Sequence, residues 1–309
     1  MTVMHTSNKK NNNGDHVTPI RDRTLFQQAW SQFKRNRRAM IGLWIIGALV
    51  IILVATTTID FFTDYSIYDS LVVKQNLRNK LAKPSMTHLL GCDEFGRDLL
   101  LRILWGTKYS LLLGFSSVTL SFLIGGPFGM IAGFYGGKID NVIMRVMDVF
   151  MACPFILLAM AIVAALGTST TNLLIALGVS GMASFSRITR ASVMAVKDME
   201  YVEAARAVGA DDLRLIFQYI FPNAMAPILV QITLRIGTAI LLVAGLSYIG
   251  LGIQPPAPEW GAILTSAKMY MRDAWHISAF PGLFLVITVV AFNLFGDGLR
   301  DALDPKLKK

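Results

Sequence analysis

Five stretches of this chain contain no Asp, Glu, Lys or Arg: Ala39–Ile59, Tyr109–Gly137, Val149–Ser186, Ile236–Pro258 and Ala274–Gly296. A helix needs about 20 apolar residues to cross about 30 Å of hydrocarbon. Val149–Ser186 is long enough for one helix, a turn and part of another. The pattern therefore predicts six spans, near 39–59, 109–133, 142–166, 172–192, 226–250 and 278–297, the fourth being the weakest by hydropathy. Gly125-Gly126-Pro127, Cys153-Pro154 and Gly245 interrupt these runs and predict breaks. Breaks are tolerated in lipid where neighbouring helices or a cavity satisfy the freed backbone groups.

Ahead of the first span the pattern changes. Residues 1–20 are rich in Asn and Lys and predict disorder. From Thr24 onward Leu25, Phe26, Ala29, Trp30 and Phe33 form one helical stripe among basic residues, which predicts a helix lying in the inner membrane interface. The first apolar run is too long for a signal-peptide core and no small-residue cleavage site follows it. It is therefore read as a retained span.

Composition agrees with a membrane protein. Of 309 residues 54% are hydrophobic and only 16% charged, against about 25% charged in soluble chains. The net charge of +9 comes from cations beside the spans, such as Lys34, Arg35, Arg37, Arg38, Lys306, Lys308 and Lys309. Contact with anionic headgroups explains that placement without nucleic acid. Lys and Arg crowd the tails and the loops on the N-terminal side, which predicts both termini in the cytoplasm. Two cysteines, Cys92 and Cys153, imply neither a disulfide framework nor a metal cluster.

Catalytic patterns are missing from the sequence. The four histidines (His5, His16, His88, His276) lack His-Glu-x-x-His spacing, and there is no Gly-x-Ser-x-Gly. No Gly-x-x-x-x-Gly-Lys-Ser/Thr loop is present to cradle phosphates. An ion-coupled carrier would place paired ionisable groups at depth. Here Arg145 and Asp148, three apart, are expected to pair with each other, and only Arg235 lies well inside a span. That arginine should face protein or a polar pathway, because a central Arg in lipid costs about 2.5–3.5 kcal/mol even on lenient scales.

Two polar segments carry the candidate chemistry. In the 60–108 segment, Gly91-Cys-Asp-Glu-Phe-Gly-Arg-Asp98 precedes Leu99, Leu100, Ile103 and Leu104. Asp93 is expected to cap that helix. The alternative gives Asp93, Gly96, Arg97 and Asp98 a contact with a delivery protein, or a place at an outer gate. The second segment, Asp198–Pro227, reads as a short helix capped near Asp198, a turn at Gly209 and a second helix stopped by Pro222. Ala204, Ala205 and Ala207 leave the first helix slim enough for close approach of another protein, beside charged Glu203 and Arg206.

At these residues the chain resembles the permease subunits of ABC importers. Their signature is Glu-Ala-Ala, three residues, Gly, and a Pro thirteen positions further on, matched here by Glu203, Ala204, Ala205, Gly209 and Pro222. Phe221 stands where Leu is usual. Trp30–Gly42, Gly91–Asp98 with Cys92 for Thr, Gly133–Asp140 with Met144, Arg145 and Asp148, Leu246–Gly252, Pro258–Gly261 and Gly296–Asp301 are similar to the oligopeptide/dipeptide/nickel group, in particular its C-type subunit. The resemblance covers roughly residues 24 to 305.

The resemblance implies an all-α integral membrane protein of the type I ABC importer transmembrane fold, with six transmembrane helices and a cytoplasmic coupling helix. It divides the chain into a cytoplasmic tail and interfacial helix (1–38), a first span (39–59), an extracytoplasmic segment (60–108), a permease core (109–301) with its coupling loop (198–222), and a cytoplasmic tail (302–309). ATPase coupling falls to Asp198, Tyr201, Val202, Glu203, Ala204, Ala205, Arg206, Gly209 and Pro222. Implied partners are a second, homologous permease, two ATPase subunits that hold ATP and Mg, and an extracytoplasmic substrate-binding protein. No cofactor or metal is implied on this chain itself. The implied place is the bacterial cytoplasmic membrane and the implied cargo di- or oligopeptides. Nickel or a metallophore is the alternative cargo, and an ion-coupled secondary carrier the remote alternative.

Overall fold

A computed structural model describes residues 25–303. The expected disorder of residues 1–20 and the basic residues Lys306, Lys308 and Lys309 lie outside the described residues. Helix α1 (Leu25–Arg35) ends at Asn36, whose side chain caps α2 (Arg37–Phe62) by accepting from the amides of Arg38 and Ala39. At about 1.5 Å per residue, the 26 residues of α2 run about 39 Å. Its buried positions Gly42, Leu49 and Thr56 recur every seven residues, one narrow seam against the bundle. Trp44 and Ile51 on the other faces stay 73% and 70% exposed, as lipid-facing side chains must be.

Beyond a segment of short turns, Asp98 caps α3 (Leu99–Tyr135) by accepting from the Leu101 amide. The bundle then continues with α4 (Gly137–Ala152), α5 (Phe155–Leu166) and α6 (Thr170–Val196). A short α7 (Glu200–Ala207) leads through turns to α8 (Phe221–Tyr248), and α9 (Trp260–Ala267) precedes α10 (His276–Leu303).

The most extensive helix pair is α3 with α6. Gly125, Gly129 and Gly133 on α3 lie against the backbone of Met182, Ser186 and Arg190 on α6. Both series advance by four residues, so one face of each helix meets the other along its length. A Cβ at Gly133 would stand 2.9 Å from the Arg190 carbonyl oxygen, which leaves no room for a side chain. Small residues permit this approach in lipid, where dispersion and polar contacts must hold helices together. The break expected at Gly125-Gly126-Pro127 is therefore a contact, and α3 runs through Pro127 unbroken. Helix α8 likewise runs through Gly245, and nothing in the structure explains the glycine there.

The third span departs from expectation. Helices α4 and α5 meet at 84° across Cys153-Pro154, so 142–166 is not one straight helix. Proline lacks an amide donor and pushes the preceding residue to extended backbone, and Cys153 has φ −93° and ψ 131°. The 12 residues of α5 reach about 18 Å and do not cross a bilayer alone. By length and composition four helical stretches among the described residues are apolar enough to span, namely α2, α3, 212–248 and α10, or five with the bent pair. Helix α6 is long enough at 27 residues, but its serines and arginines dilute its hydropathy.

Helix α1 matches the expected amphipathic helix, but protein takes up part of its apolar face. Phe33 is 3% exposed and meets Phe295 of α10 edge-on at 5.3 Å. Trp30 stacks on Phe33 at 5.8 Å and stays partly exposed.

Candidate functional site

The loop between α6 and α8 is built around a small apolar core. Val202 and Ala205 of α7 pack with Val193 and Val196 of α6 and with Leu215, Ile220 and Ala224 beyond the turn. Helix α7 therefore presents only its other faces: Tyr201, Glu203, Ala204, Arg206 and Ala207 are exposed. Ala205 is 5% exposed and turned inward, contrary to the expectation that it greets a partner. The exposed alanine of the pair is Ala204. Val202 is likewise turned inward, a core residue of the loop.

Gly209 ends α7 in a Schellman arrangement. The Ala210 amide donates to the Ala205 carbonyl (3.1 Å) and the Gly209 amide to the Arg206 carbonyl (3.0 Å). Gly209 has φ +88°, a left-handed conformation open to glycine at little cost. Asp198 does not cap α7: the residue at that position is Met199, and it makes no side-chain cap. Pro222 does not stop a helix either, because residues 212–248 form one continuous helical stretch. Leu215–Ile220 is a wide π turn, with the Phe221 amide reaching the Ile216 carbonyl. The wider turn accommodates a proline ring in the next turn.

The 91–98 motif folds on itself. Asp93 accepts from the amides of Phe95 and Arg97, both 2.9 Å, and from Arg97 Nε at 2.6 Å. Arg102 Nε lies 3.2 Å from the same carboxylate, and its Nη1 donates to the Val72 carbonyl at 3.1 Å. Gly96 has φ +72°, and a Cβ there would fall on the backbone of Asn76. Asp98, not Asp93, is the cap of α3, and it also holds His88 Nδ1 at 2.8 Å. Asp93 and Arg97 are 2% and 4% exposed, so they hold the segment together and offer no surface for a delivery protein. Burial, with the charges of Asp98 and Asp93, pushes the Cys92 thiol up to about 11, which keeps it protonated and inert. Burial and the Asp93 charge also raise the Glu94 carboxyl above its ordinary value.

Two buried polar clusters were not anticipated. Asp60, near the C-terminal end of α2, accepts from Trp105 Nε1 at 2.9 Å and pairs with Lys108. The Lys108 ammonium lies 5.1 Å from the ring centres of Tyr68 and Tyr109. Glu259 caps α9 through the amides of Gly261 and Ala262 and accepts from Ser110 of α3 at 3.1 Å. The available signal was position: Asp60 and Lys108 bound two charge-free runs.

The charges within the bundle pair across helices. Arg187 donates to Asp148 at 2.6 Å, and Arg190 grips Asp140 with two bonds of 2.5 Å. Asp148 thus belongs to Arg187, and the expected Arg145–Asp148 pair is not formed; Arg145 is exposed. Arg235, near the midpoint of α8, donates from Nη2 to Ser184 Oγ of α6 at 2.6 Å. It borders a hollow of about 30 Å³ with Ser117, Ser121, Phe155, Phe185 and Thr238 among its walls.

A helical bundle with a broken third span and a compact loop between two long helices defines the class: the transmembrane fold of a type I ABC importer. The same fold is seen in an inward-facing methionine ABC transporter, with TM-score 0.54 and 21% identity over 67% of this chain and 96% of that one. An amino acid ABC transporter superposes with TM-score 0.52 and 19% identity over 65% of this chain and 94% of that one.

The family described as "binding-protein-dependent transport system inner membrane component" matches residues 125–309, and the "N-terminal TM domain of oligopeptide transport permease C" matches residues 24–84. The chain belongs to this family of importer permeases. Among its relatives, a dipeptide transport system permease protein of Alkalihalophilus pseudofirmus is 42% identical over 92% of this chain and 90% of its own. A glutathione transport system permease protein of Pectobacterium atrosepticum is 42% identical over 94% of this chain and 95% of its own. A di/tripeptide transport system permease protein of Pseudomonas aeruginosa is 42% identical over 96% of this chain and 99% of its own. The chain is thus a multi-pass inner-membrane subunit of an ABC importer and not itself an enzyme.

Proposed function

We propose that this permease carries peptides and glutathione-like solutes, pairs with a second, homologous permease, and is driven by two ATPase subunits through α7. The observation that carries the coupling role is the two-sided build of α7. Val202 and Ala205 root it in the subunit, while Tyr201, Glu203, Ala204 and Arg206 stand free on a helix whose end is set by Gly209. A rigid knob of this kind transmits displacement because packed elements shift as bodies. ATP and Mg are held by the partner ATPases, and this chain's part is mechanical.

In this reading residues 1–38, 198–222 and 302–309 face the cytoplasm, and 60–108 faces outward to the binding protein. Support for a peptide cargo comes from the names of relatives that align over nearly the whole chain. Deleting the gene for this subunit should abolish growth on di- and tripeptides as sole source of a required amino acid. Intact peptide use with lost nickel or metallophore uptake would instead assign a metal cargo.

A further inference from the structure

We propose that Arg235, held by Ser184, is a carboxylate-binding site within the translocation path that engages the C-terminal carboxylate of the peptide in transit. This inference rests on the peptide reading above. The juxtaposition behind it is a guanidinium at mid-bundle beside a small hollow, with a neutral hydroxyl as its sole recorded partner among the described residues. The bundle arginines Arg187 and Arg190 are each matched by a carboxylate of this chain. Arg235 is not, and one bond to Ser184 leaves most of its five donors free for a ligand.

The surroundings suit an anion and not lipid. Gln231, Arg235 and Thr238 follow one another at four- and three-residue steps on α8, so they share a face. Gln231 is half-buried and Thr238 exposed, which places that polar stripe on the side of α8 left open by this subunit. A lipid-facing stripe of this composition at mid-helix would be costly. The hollow of about 30 Å³ holds one water-sized group, enough for a carboxylate oxygen, and its Phe155 and Phe185 walls lower the local dielectric. Guanidinium and carboxylate match in bidentate geometry, and such bonds are roughly twice as strong as neutral ones.

One arginine at this place recognises the feature that every linear peptide shares, its C-terminal carboxylate, while leaving side chains unread. A transport path requires that kind of contact, favourable enough to admit the cargo yet single, so that the cargo leaves again.

The test uses the complete transporter in proteoliposomes with its own binding protein, ATPases and partner permease. Uptake of a tripeptide is compared with uptake of its C-terminal amide, in wild type, Arg235→Gln, Arg235→Lys and Ser184→Ala. The binding protein is the same throughout, so a change in the acid-to-amide ratio belongs to the permease. Arg235→Gln should lower that ratio at least about tenfold, as expected for a charge-assisted bond. Arg235→Lys should keep part of the preference, and Ser184→Ala should lie between. An unchanged ratio in Arg235→Gln overturns the proposal while leaving the peptide reading intact. Failure of Arg235→Gln and Arg235→Lys to co-purify with the partner permease also overturns it, assigning Arg235 to the contact with that subunit. Wild-type uptake of neither peptide overturns the peptide reading, and this proposal with it.

Discussion

Gly209 shows how one residue can set the turn of the loop between α6 and α8. Its φ of +88° is left-handed, and nothing lies within 4 Å of a Cβ placed there, so the demand is purely one of backbone conformation. Transport should therefore fall in the order glycine, asparagine, alanine, valine at position 209. Asn tolerates the left-handed region best among non-glycine residues, and a β-branched residue least. Uptake per inserted molecule, measured against the amount of subunit in the membrane, checks this; a valine variant with full uptake contradicts it. The turn at Gly209 was legible in the sequence because glycine after a short polar helix is its usual signal. The inward orientation of Ala205 was not. An eight-residue helix with three alanines has no stripe broad enough to phase it, and only the packing against Leu215 and Ile220 decides which alanine is buried. Asp148 was misassigned for a related reason, since the cross-helix partner Arg187 is invisible in a local spacing.

At the scale of elements, hydropathy located the helices well where lipid surrounds them and poorly where protein does. The first, second and last spans fall inside α2, α3 and α10 because their exposed apolar faces leave long charge-free runs. Helix α6 was the weakest to read, since its serines and arginines face α3 and the carboxylates Asp140 and Asp148. The same interface explains why glycines on α3 looked like a break and are in fact contacts. Gly129 is the central one, and a Cβ there meets the Ser186 backbone. Gly129→Val should leave membrane insertion intact but loosen the bundle, since overpacking costs about 1–3 kcal/mol or more where backbone must move. Limited proteolysis in membranes would read this as faster cleavage than in wild type; an unchanged pattern would mean that α3 and α6 separate freely.

For the molecule as a whole, the chain is one membrane subunit of an ABC importer. Large apolar side chains on α4, such as Val142 and Val149, remain exposed, and α7 carries charged and small side chains on its exposed faces. The importer class was legible from the Glu203-to-Pro222 spacing and from the length and order of the spans. The internal build of the 60–108 segment was not, because Asp93 pairs with Arg97 and Arg102, and Arg102 in turn reaches the distant carbonyls of Val72 and Pro256.

The central claim is that the exposed face of α7 receives the motion of the ATPase. Disulfide crosslinking tests it most directly, with single cysteines at positions 203, 204 and 205 in a background with Cys92 and Cys153 replaced by serine. Cysteines at 203 and 204 should crosslink to the ATPase subunit and the one at 205 should not, because Ala205 lies under the loop. A crosslink at 205 with none at 203 or 204 would contradict the account.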